Sequence, residues 1–287
     1  MTTLDSFHLG ELYRELRLAR GLKMKDVVSS NLSQAQLSKF ENGQTMLSAD
    51  KLLTAISAIH MSLSEFEHVY HQYEENKFFK QAKLIANYHT NKDIFNLEKL
   101  LTTFNHSENY GTYDKLNKLV IQCAIHDLNP EYAILDSDID FITTYLYSIE
   151  DWTEYELYIF GNTLQVLSDS DLIFLSKAFS ERYTLYLSIP NNSHRTKLVL
   201  LNIIFSLLER KQYYYTHYFM NHLETILTYQ DMFVNTVLIL LKKVLDYREG
   251  KNINFDDLEM YISNIRQLGH DDIAEFLQDN VITLIQD

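Results

Sequence analysis

The chain is poor in three residue types at once: one cysteine, two prolines and seven glycines in 287 residues. A single thiol, Cys123, excludes an internal disulfide and a cysteine-rich metal site. It lies in the apolar run LVIQCAI, where it reads as a small core residue. So few glycines and prolines leave few breakers for an all-β or βαβ plan, and long helices with short connections are the economical reading. No basic segment precedes an apolar core at the N-terminus, so no secretory signal is expected. The longest apolar runs, LVLLNIIFSLL at 198–208 and TVLILL at 236–241, are too short and interrupted to span a bilayer. A soluble, cytoplasmic protein without a membrane partner is expected. There is no HExxH pair, no glycine-rich phosphate loop and no G-x-S-x-G elbow. Nothing suggests catalysis, a metal or a cofactor, and no enzyme activity is expected.

What is present is apolar and acidic. Hydrophobic residues make up 46% of the chain, with 20 Tyr and 16 Phe, which is far from a disordered composition. The net charge is −14. It is unevenly spread: residues 1–60 hold 7 Lys+Arg and 6 Asp+Glu, whereas the remainder holds 18 and 33. A polyanionic partner is therefore excluded from most of the chain and left possible only at its N-terminal end.

That end carries the most informative stretch. Leu9 to Arg20 is an amphipathic helix with Leu9, Leu12, Tyr13 and Leu16 in one stripe, and with Arg14, Arg17 and Arg20 on or beside its polar face. A second helix runs from about Met24 to Ser29, flanked by Lys23 and carrying Lys25. The block SQAQLSKFENG then spells a third. Ser33 and Gln36 form an S-x-x-Q capping box, Leu37 and Phe40 face inward, and Asn42-Gly43 ends the helix. Gln34, Ala35, Gln36, Ser38 and Lys39 are left on its outer and leading surface. Amide side chains pair with adenine and a methyl group touches thymine, so this is the surface a major-groove reader needs. Lys23, Lys25, Arg14 and Arg17 are candidate phosphate contacts, favoured by the dipole at a helix start. Ser33, at the cap, belongs to the same candidate DNA-binding set. Ser48 is expected to cap a fourth helix, Ala49 to Ile59, with Leu52, Leu53, Ile56 and Ile59 inward, and Ser62 with Glu65 forms the box of a fifth.

The order R-x-x-R-G-L, then S-Q-x-x-L-S-K-F-E-N-G, then a capped helix and M-S-x-x-E-F resembles the Cro/CI-type helix-turn-helix over about sixty residues. Two departures are that the usual Ser-Gln opening the second helix is Lys23-Met24 here, and that the segment between the second helix and the recognition helix is about a residue short.

Beyond about Ser64 there is no strand-like alternation. Apolar residues recur at three- and four-residue spacing. Helices are expected over 64–74, 76–88, 92–104, 110–128, 137–149, 152–166, 169–187, 193–210, 213–228, 232–248, 255–267 and 270–284. Ser168 with Asp171, and Asn191-Asn192-Ser193 after Pro190, read as capping signals. The pairs 152–166/169–187, 193–210/213–228 and 232–248/255–267 form hairpins repeating at about forty residues, as degenerate tetratricopeptide-like units stacked into a superhelix do. The expectation is an all-α chain: residues 1–66 a five-helix DNA-binding head, and 67–287 a helical-repeat domain for peptide binding and dimerisation.

Asn162, Asn202 and Asn235 recur in successive first helices. A side-chain amide offers both a donor and an acceptor, which suits it to the main chain of an extended peptide. Trp152, Tyr155, Tyr158 and Asn162 share one helix. Arg195, Leu198 and Asn202 share a face of the next, where Arg195 is placed to take a peptide's terminal carboxylate. Lys197 points away from that face. The competing readings are that the aromatics and Leu198 are core, that each Asn satisfies a neighbouring helix, and that Arg195 is a solvated charge.

A Cro/CI-type head followed by about 220 residues of helical hairpins, with W-T-x-Y-E-L-Y-I-F-G-N at 152–162, resembles the Rgg/GadR/MutR family of Gram-positive regulators. The resemblance implies a homodimeric transcription factor bound to a palindromic promoter site. It also implies a repeat domain that, in many members, receives a short signalling peptide for quorum sensing. Two alternatives stay open: a helical-repeat protein-interaction module, and a regulator of the same fold with no peptide ligand. Other clusters read as ordinary surface or core: His68-x-x-His71, His217 with His222, the DSDID run at 136–140, which lacks the glycine and terminal glutamate of a calcium loop, and Tyr213-Tyr214-Tyr215.

Overall fold

A computed structural model describes residues 6–71, 77–103, 111–182, 187 and 190–285. The expected helix ends at 74 and 104, the start at 110 and the stretch 183–186 lie outside the described residues. All regular structure in the described residues is helical, and the chain divides into two compact units, 1–84 and 85–287.

The first unit holds α1 (Ser6–Ala19), α2 (Met24–Val27), α3 (Gln34–Glu41), α4 (Ala49–Ala58) and α5 (Leu63–Tyr70). Its core is Tyr13, Val27, Leu32, Leu37, Phe40, Ala55, Ile56, Ile59, Met61 and Phe66. Leu53, expected inward, is instead 48% exposed, because Ala55, Ile56 and Ile59 already fill the inner face of α4.

Two contacts fix α3 against α1, and a third ties α1 to α4. The Arg17 guanidinium donates from Nε and Nη2 to the two Glu41 carboxylate oxygens, both at 2.7 Å, and from Nη1 to Leu22 O at 2.6 Å. Arg17 and Glu41 are each 3% exposed, so the pair is fully desolvated, and the carboxylate raises the guanidinium's pKa. The Tyr13 hydroxyl donates to Ala55 O at 2.9 Å, which ties α1 to α4. At Gly10 a Cβ would lie 1.8 Å from Phe40 O, so only glycine lets the α1 backbone approach α3 this closely.

In the second unit, helices alternate in two rows. The first helices of the hairpins are α8 (Thr112–Leu128), α10 (Glu154–Gly161) continued by a 3-10 turn at Leu164–Val166, α12 (Pro190–Glu209), α14 (Met232–Arg248) and α16 (Asp271–Ile285). The others are α7 (Ile94–Thr102), α9 (Asp136–Ser148), α11 (Asp169–Arg182), α13 (Tyr213–Ile226) and α15 (Phe255–Gln267). The helix α6 (Lys77–Thr90) precedes them and spans the division between the units. The cap expected at Asn191-Asn192-Ser193 is not there: these residues lie within α12, whose described part opens at Pro190.

Polar side chains set the register between first helices. The Tyr155 hydroxyl donates to Asn117 Oδ1 at 3.2 Å and Gln165 Nε2 to Cys123 O at 3.2 Å, so α8 and α10 run parallel. Arg195 pairs with Glu154 at 3.0 Å and Asn202 Nδ2 donates to Gly161 O at 3.3 Å, so α10 and α12 also run parallel. Lys197 donates twice to the Asp231 carboxylate, at 2.7 and 2.8 Å, linking α12 to the start of α14. One residue, Arg210, gathers the end of the α10 segment: its guanidinium donates to Leu164 O and Gln165 O at 3.0 Å and to Leu167 O at 2.7 Å. Cys123 is fully buried and its thiol is pushed up to about 12 by desolvation first and then by the Asp127 carboxylate, which makes it inert packing.

Arg17→Ala is expected to destabilise the first unit by about 3–5 kcal/mol, because it strands the Glu41 carboxylate in the core. Amide hydrogen exchange of residues 6–71 checks this, and protection in that unit should fall while that of 111–182 stays unchanged. Unchanged protection in both would show that the pair does not hold the head.

Candidate functional site

In the first unit, α3 begins with its capping box closed in both directions. Gln36 N donates to Ser33 Oγ at 3.3 Å, and Ser33 N donates to Gln36 Oε1 at 3.1 Å. Gln34, Ala35, Gln36 and Lys39 are exposed, and Ser38 is half-buried. The box changes the expectation for Gln36. Its amide oxygen turns back to the helix start, so it cannot keep the cap and offer both amide groups to one adenine. Gln34 has no such tie and stands at the exposed first turn. The α2 start carries exposed Lys23 and Lys25, with Lys23 N donating to Asp26 Oδ2 at 2.8 Å. Arg14 is exposed. Arg17 is not a phosphate contact: its guanidinium is inside the core against Glu41 and Leu22. Its spacing with Arg14 and Arg20 suggested one basic row, but Arg17 stands four residues after the core residue Tyr13, only about 40° round the helix from it, and so shares the inner face. The missed partner, Glu41, was legible only as part of the F-E-N-G block.

In the second unit, the residues expected to face a ligand sort into two sets. Trp152 is 5% exposed and packs against Phe160 and Phe179 at ring distances of 5.0 and 6.1 Å, so it is core rather than lining. The others share the exposed row of first helices. Tyr155 and Tyr158 are half-buried, with burial raising both phenol pKa values. Asn162 and Asn202 are exposed, and the bond from Asn202 to Gly161 O sets them side by side. Asn162 Nδ2 donates to Tyr158 O at 2.7 Å. Each of these two amides commits one N–H to the fold and retains a second N–H and a carbonyl oxygen. Asn235 is exposed in the first turn of α14, beyond the Lys197–Asp231 bridge. Leu198 is half-buried against the core, and Arg195 is held by Glu154. At Gly161 a Cβ would lie 2.9 Å from Val199 Cγ2, so the small residue permits this close crossing of α10 and α12.

The sequence did not single out Tyr113 and Asn117. Both are on α8, where Tyr113 packs edge-on against Tyr155 at 5.2 Å and Asn117 accepts the Tyr155 hydroxyl. They extend the row by one hairpin. Their only sequence signal was a spacing of about forty residues from Tyr155 and Tyr158.

Beneath the row, Glu156 is buried and anchors α10. Its carboxylate accepts Thr153 N at 2.7 Å, Thr153 Oγ1 at 2.6 Å and the Tyr145 hydroxyl at 2.6 Å. Burial pushes its pKa up, but these donors outweigh burial and hold it below the ordinary glutamate value.

Two family models match the chain. Residues 98–279 match the C-terminal domain of the helix-turn-helix-type transcriptional regulator Rgg, and residues 14–66 match a helix-turn-helix domain. The chain belongs to the Rgg family of transcriptional regulators. That family is one of regulators rather than enzymes. Among solved structures, the pheromone receptor Rgg2 of Streptococcus dysgalactiae superposes with a TM-score of 0.78 at 20% identity, covering 96% of this chain and 100% of that one. A candidate transcriptional regulator from Listeria monocytogenes gives 0.78 at 19% identity and covers 98% of each chain. PrgX in complex with cCF10 gives 0.70 at 18% identity, with 97% of this chain and 92% of that one covered. These likenesses establish the fold: an N-terminal helix-turn-helix followed by a superhelix of degenerate hairpins. No helix of the described residues is long and apolar enough to cross a membrane, and they hold no cluster of three or more His, Cys, Asp or Glu side chains suited to a metal ion.

Because the Glu156 pKa is depressed in the fold, its contribution is complete above the unfolded value near 4.3 and is lost as pH falls through the lower folded value. Glu156→Gln is therefore expected to destabilise α10 by about 2 kcal/mol at neutral pH and to flatten its acid transition below about pH 4. Hydrogen exchange of residues 154–166 across pH checks both, and an unaltered acid limb would assign that transition to another carboxylate.

Proposed function

We propose that this Rgg-family protein is a cytoplasmic homodimer that reads a palindromic promoter site with α3 and is gated by a short peptide lying across the first helices of its repeat unit. One observation carries the peptide reading: the Asn202 bond to Gly161 O, which lines up the exposed amides of successive hairpins. Tyr113, Tyr155, Tyr158 and Leu198 border them as half-apolar walls. Relatives of the same fold support the reading, since one is described as a pheromone receptor and another was solved with cCF10. Parallel helices packed about 8–10 Å apart put about 24–30 Å between α8 and α14. An extended chain rising about 3.3 Å per residue crosses that distance in about eight residues. The peptide would act by binding one arrangement of the two heads better than another.

On the DNA side, Gln34 is assigned to base edges, Ala35 to a thymine methyl, and Lys39, Lys23, Lys25 and Arg14 to phosphate. Ser33, Gln36 and Ser38 shape the start and exposed side of α3. The weakly basic head binds through few phosphates, so two heads are needed for a stable complex.

Fluorescence-anisotropy titration of the full chain with promoter DNA at two salt concentrations checks this. Gln34→Ala is expected to relax preference at one base pair by about 1–3 kcal/mol. Lys39→Ala should weaken all sites alike and lower the salt slope by about one. Unchanged binding in both would remove α3 as the reader.

The same titration with pooled synthetic octapeptides tests the gate. A peptide that shifts DNA affinity in the wild type is expected to bind Asn162→Ala and Asn202→Ala about fivefold more weakly each, one hydrogen bond's worth. Specific DNA binding indifferent to every pool would leave a regulator without a peptide ligand. Failure to bind DNA at either salt would favour an interaction module.

A further inference from the structure

The proposed groove contains a carboxylate of its own. Glu154 opens α10 at the position before Tyr155, and its Oε1 lies 3.0 Å from Arg195 Nη2 on α12. The two side chains are 32% and 33% exposed, so solvent reaches the pair. Arg195 is also the first member of the face that continues through Leu198 to Asn202, the residue bonded beside Asn162. We infer that Glu154 is a built-in competitor, standing in for the carboxylate of a peptide ligand on Arg195 until that ligand displaces it. This rests on the peptide-receptor reading and adds to it the ligand's anchoring group, a free carboxylate, and the residue that sets how tightly it is held.

Three observations argue for exchange rather than a fixed structural bridge. The buried pairs of the same unit are shut off from water: Lys197 and Asp231 are 7% and 11% exposed and share two hydrogen bonds. Glu154, by contrast, meets Arg195 at the surface, and an ion pair this exposed to water is weak. The cap of α10 does not need Glu154, because Thr153 and Glu156 close it between them. Releasing Glu154 therefore leaves the helix start intact. Exchange of one carboxylate for another keeps the guanidinium paired, and the released Glu154 side chain, already 32% exposed, turns to water rather than being buried unpaired. The cost is the fraction of molecules in which Glu154 already holds Arg195, which lowers the apparent affinity by that occupancy.

The test uses the full chain and a probe that needs no knowledge of the natural peptide: N-acetyl-phenylalanine, a C-terminal mimic with a free carboxylate, beside its amide. The Nε–Hε resonance of Arg195, assigned by its loss in Arg195→Gln, reports binding. In the wild type the acid, and not the amide, is expected to shift it. In Glu154→Gln the acid should bind about three- to sixfold more tightly, while the amide stays without effect in every variant. Equal response to acid and amide, or the same acid affinity in wild type and Glu154→Gln, would overturn the proposal. The octapeptide titration stands apart from this result: a peptide that gates DNA binding equally as free acid and amide would keep the receptor reading and reject the carboxylate anchor. The acid-specific shift is expected to persist in Lys197→Gln, since Lys197 faces Asp231 away from the groove.

Discussion

The buried pair of Arg17 and Glu41 decides where the reading helix lies. An eight-residue helix has too few internal hydrogen bonds to persist alone, so α3 exists only as packed against its neighbours. Its two ends are held differently. At the start, Ser33 and Gln36 satisfy orphan backbone donors, and at the end Glu41 is drawn into the core by a guanidinium reaching from α1. Between them, Leu37 and Phe40 fill the core, and the absent side chain at Gly10 admits the Phe40 carbonyl. With its inner face and both ends fixed, the helix has one surface left, and that surface carries Gln34, Ala35 and Lys39. A buried charge pair is a poor source of net stability. Here it supplies orientation, since the two parallel bonds from a planar guanidinium to a carboxylate allow little rotation.

The repeat unit solves a related problem on a larger scale. Apolar stripes alone tolerate sliding of one helix along another, and the hydrophobic effect is non-directional. The polar side chains that cross between first helices remove that freedom. Arg210 pins the 3-10 turn after α10, Lys197 pins the start of α14, and Asn202 pins the end of α10. All three reach across to main-chain carbonyls or to the Asp231 carboxylate just before α14. The register they fix is what brings Tyr155, Asn162 and Asn202 onto one surface, so the geometry of the proposed groove follows from the register, to which Asn202 itself contributes.

Much of this was legible in the sequence, and what was not has a physical reason. Helix positions came from three- and four-residue spacing and caps, and α14 and α15 match their expected bounds of 232–248 and 255–267. The capping boxes at Ser33 and Ser62 were visible because both partners lie three residues apart. The errors fall where the partner is distant in sequence. Arg17 and Glu41 are 24 residues apart, so a buried arginine was read as a surface one. Trp152 was grouped with Tyr155 by proximity in the chain, yet its ring packs on Phe179, which only the fold of α11 brings close. Tyr113 was missed for the same reason, since its relation to Tyr155 exists only through the parallel stacking of α8 and α10.

The charge distribution links the two units functionally. Residues 1–60 carry 7 basic and 6 acidic side chains, and the rest carries 18 and 33. Once Arg17 and Glu41 neutralise each other inside the core, the surface charge of the head is unchanged in sum, but one of its seven cations is withdrawn from DNA. Of the six that remain, Arg14, Lys23, Lys25 and Lys39 are the proposed phosphate contacts, and the acidic repeat unit repels a polyanion. In the proposed dimer, affinity for DNA would then rest on few contacts per head and on the spacing of two heads, and a small change in that spacing would have a large effect because each head binds weakly. This is the situation in which a ligand of modest differential affinity can switch a regulator. It does not have to break a tight complex, only to disfavour simultaneous engagement. A strongly basic head would bind one half-site well enough to resist that control, so the near-neutral balance of the first sixty residues is itself suited to a gated protein.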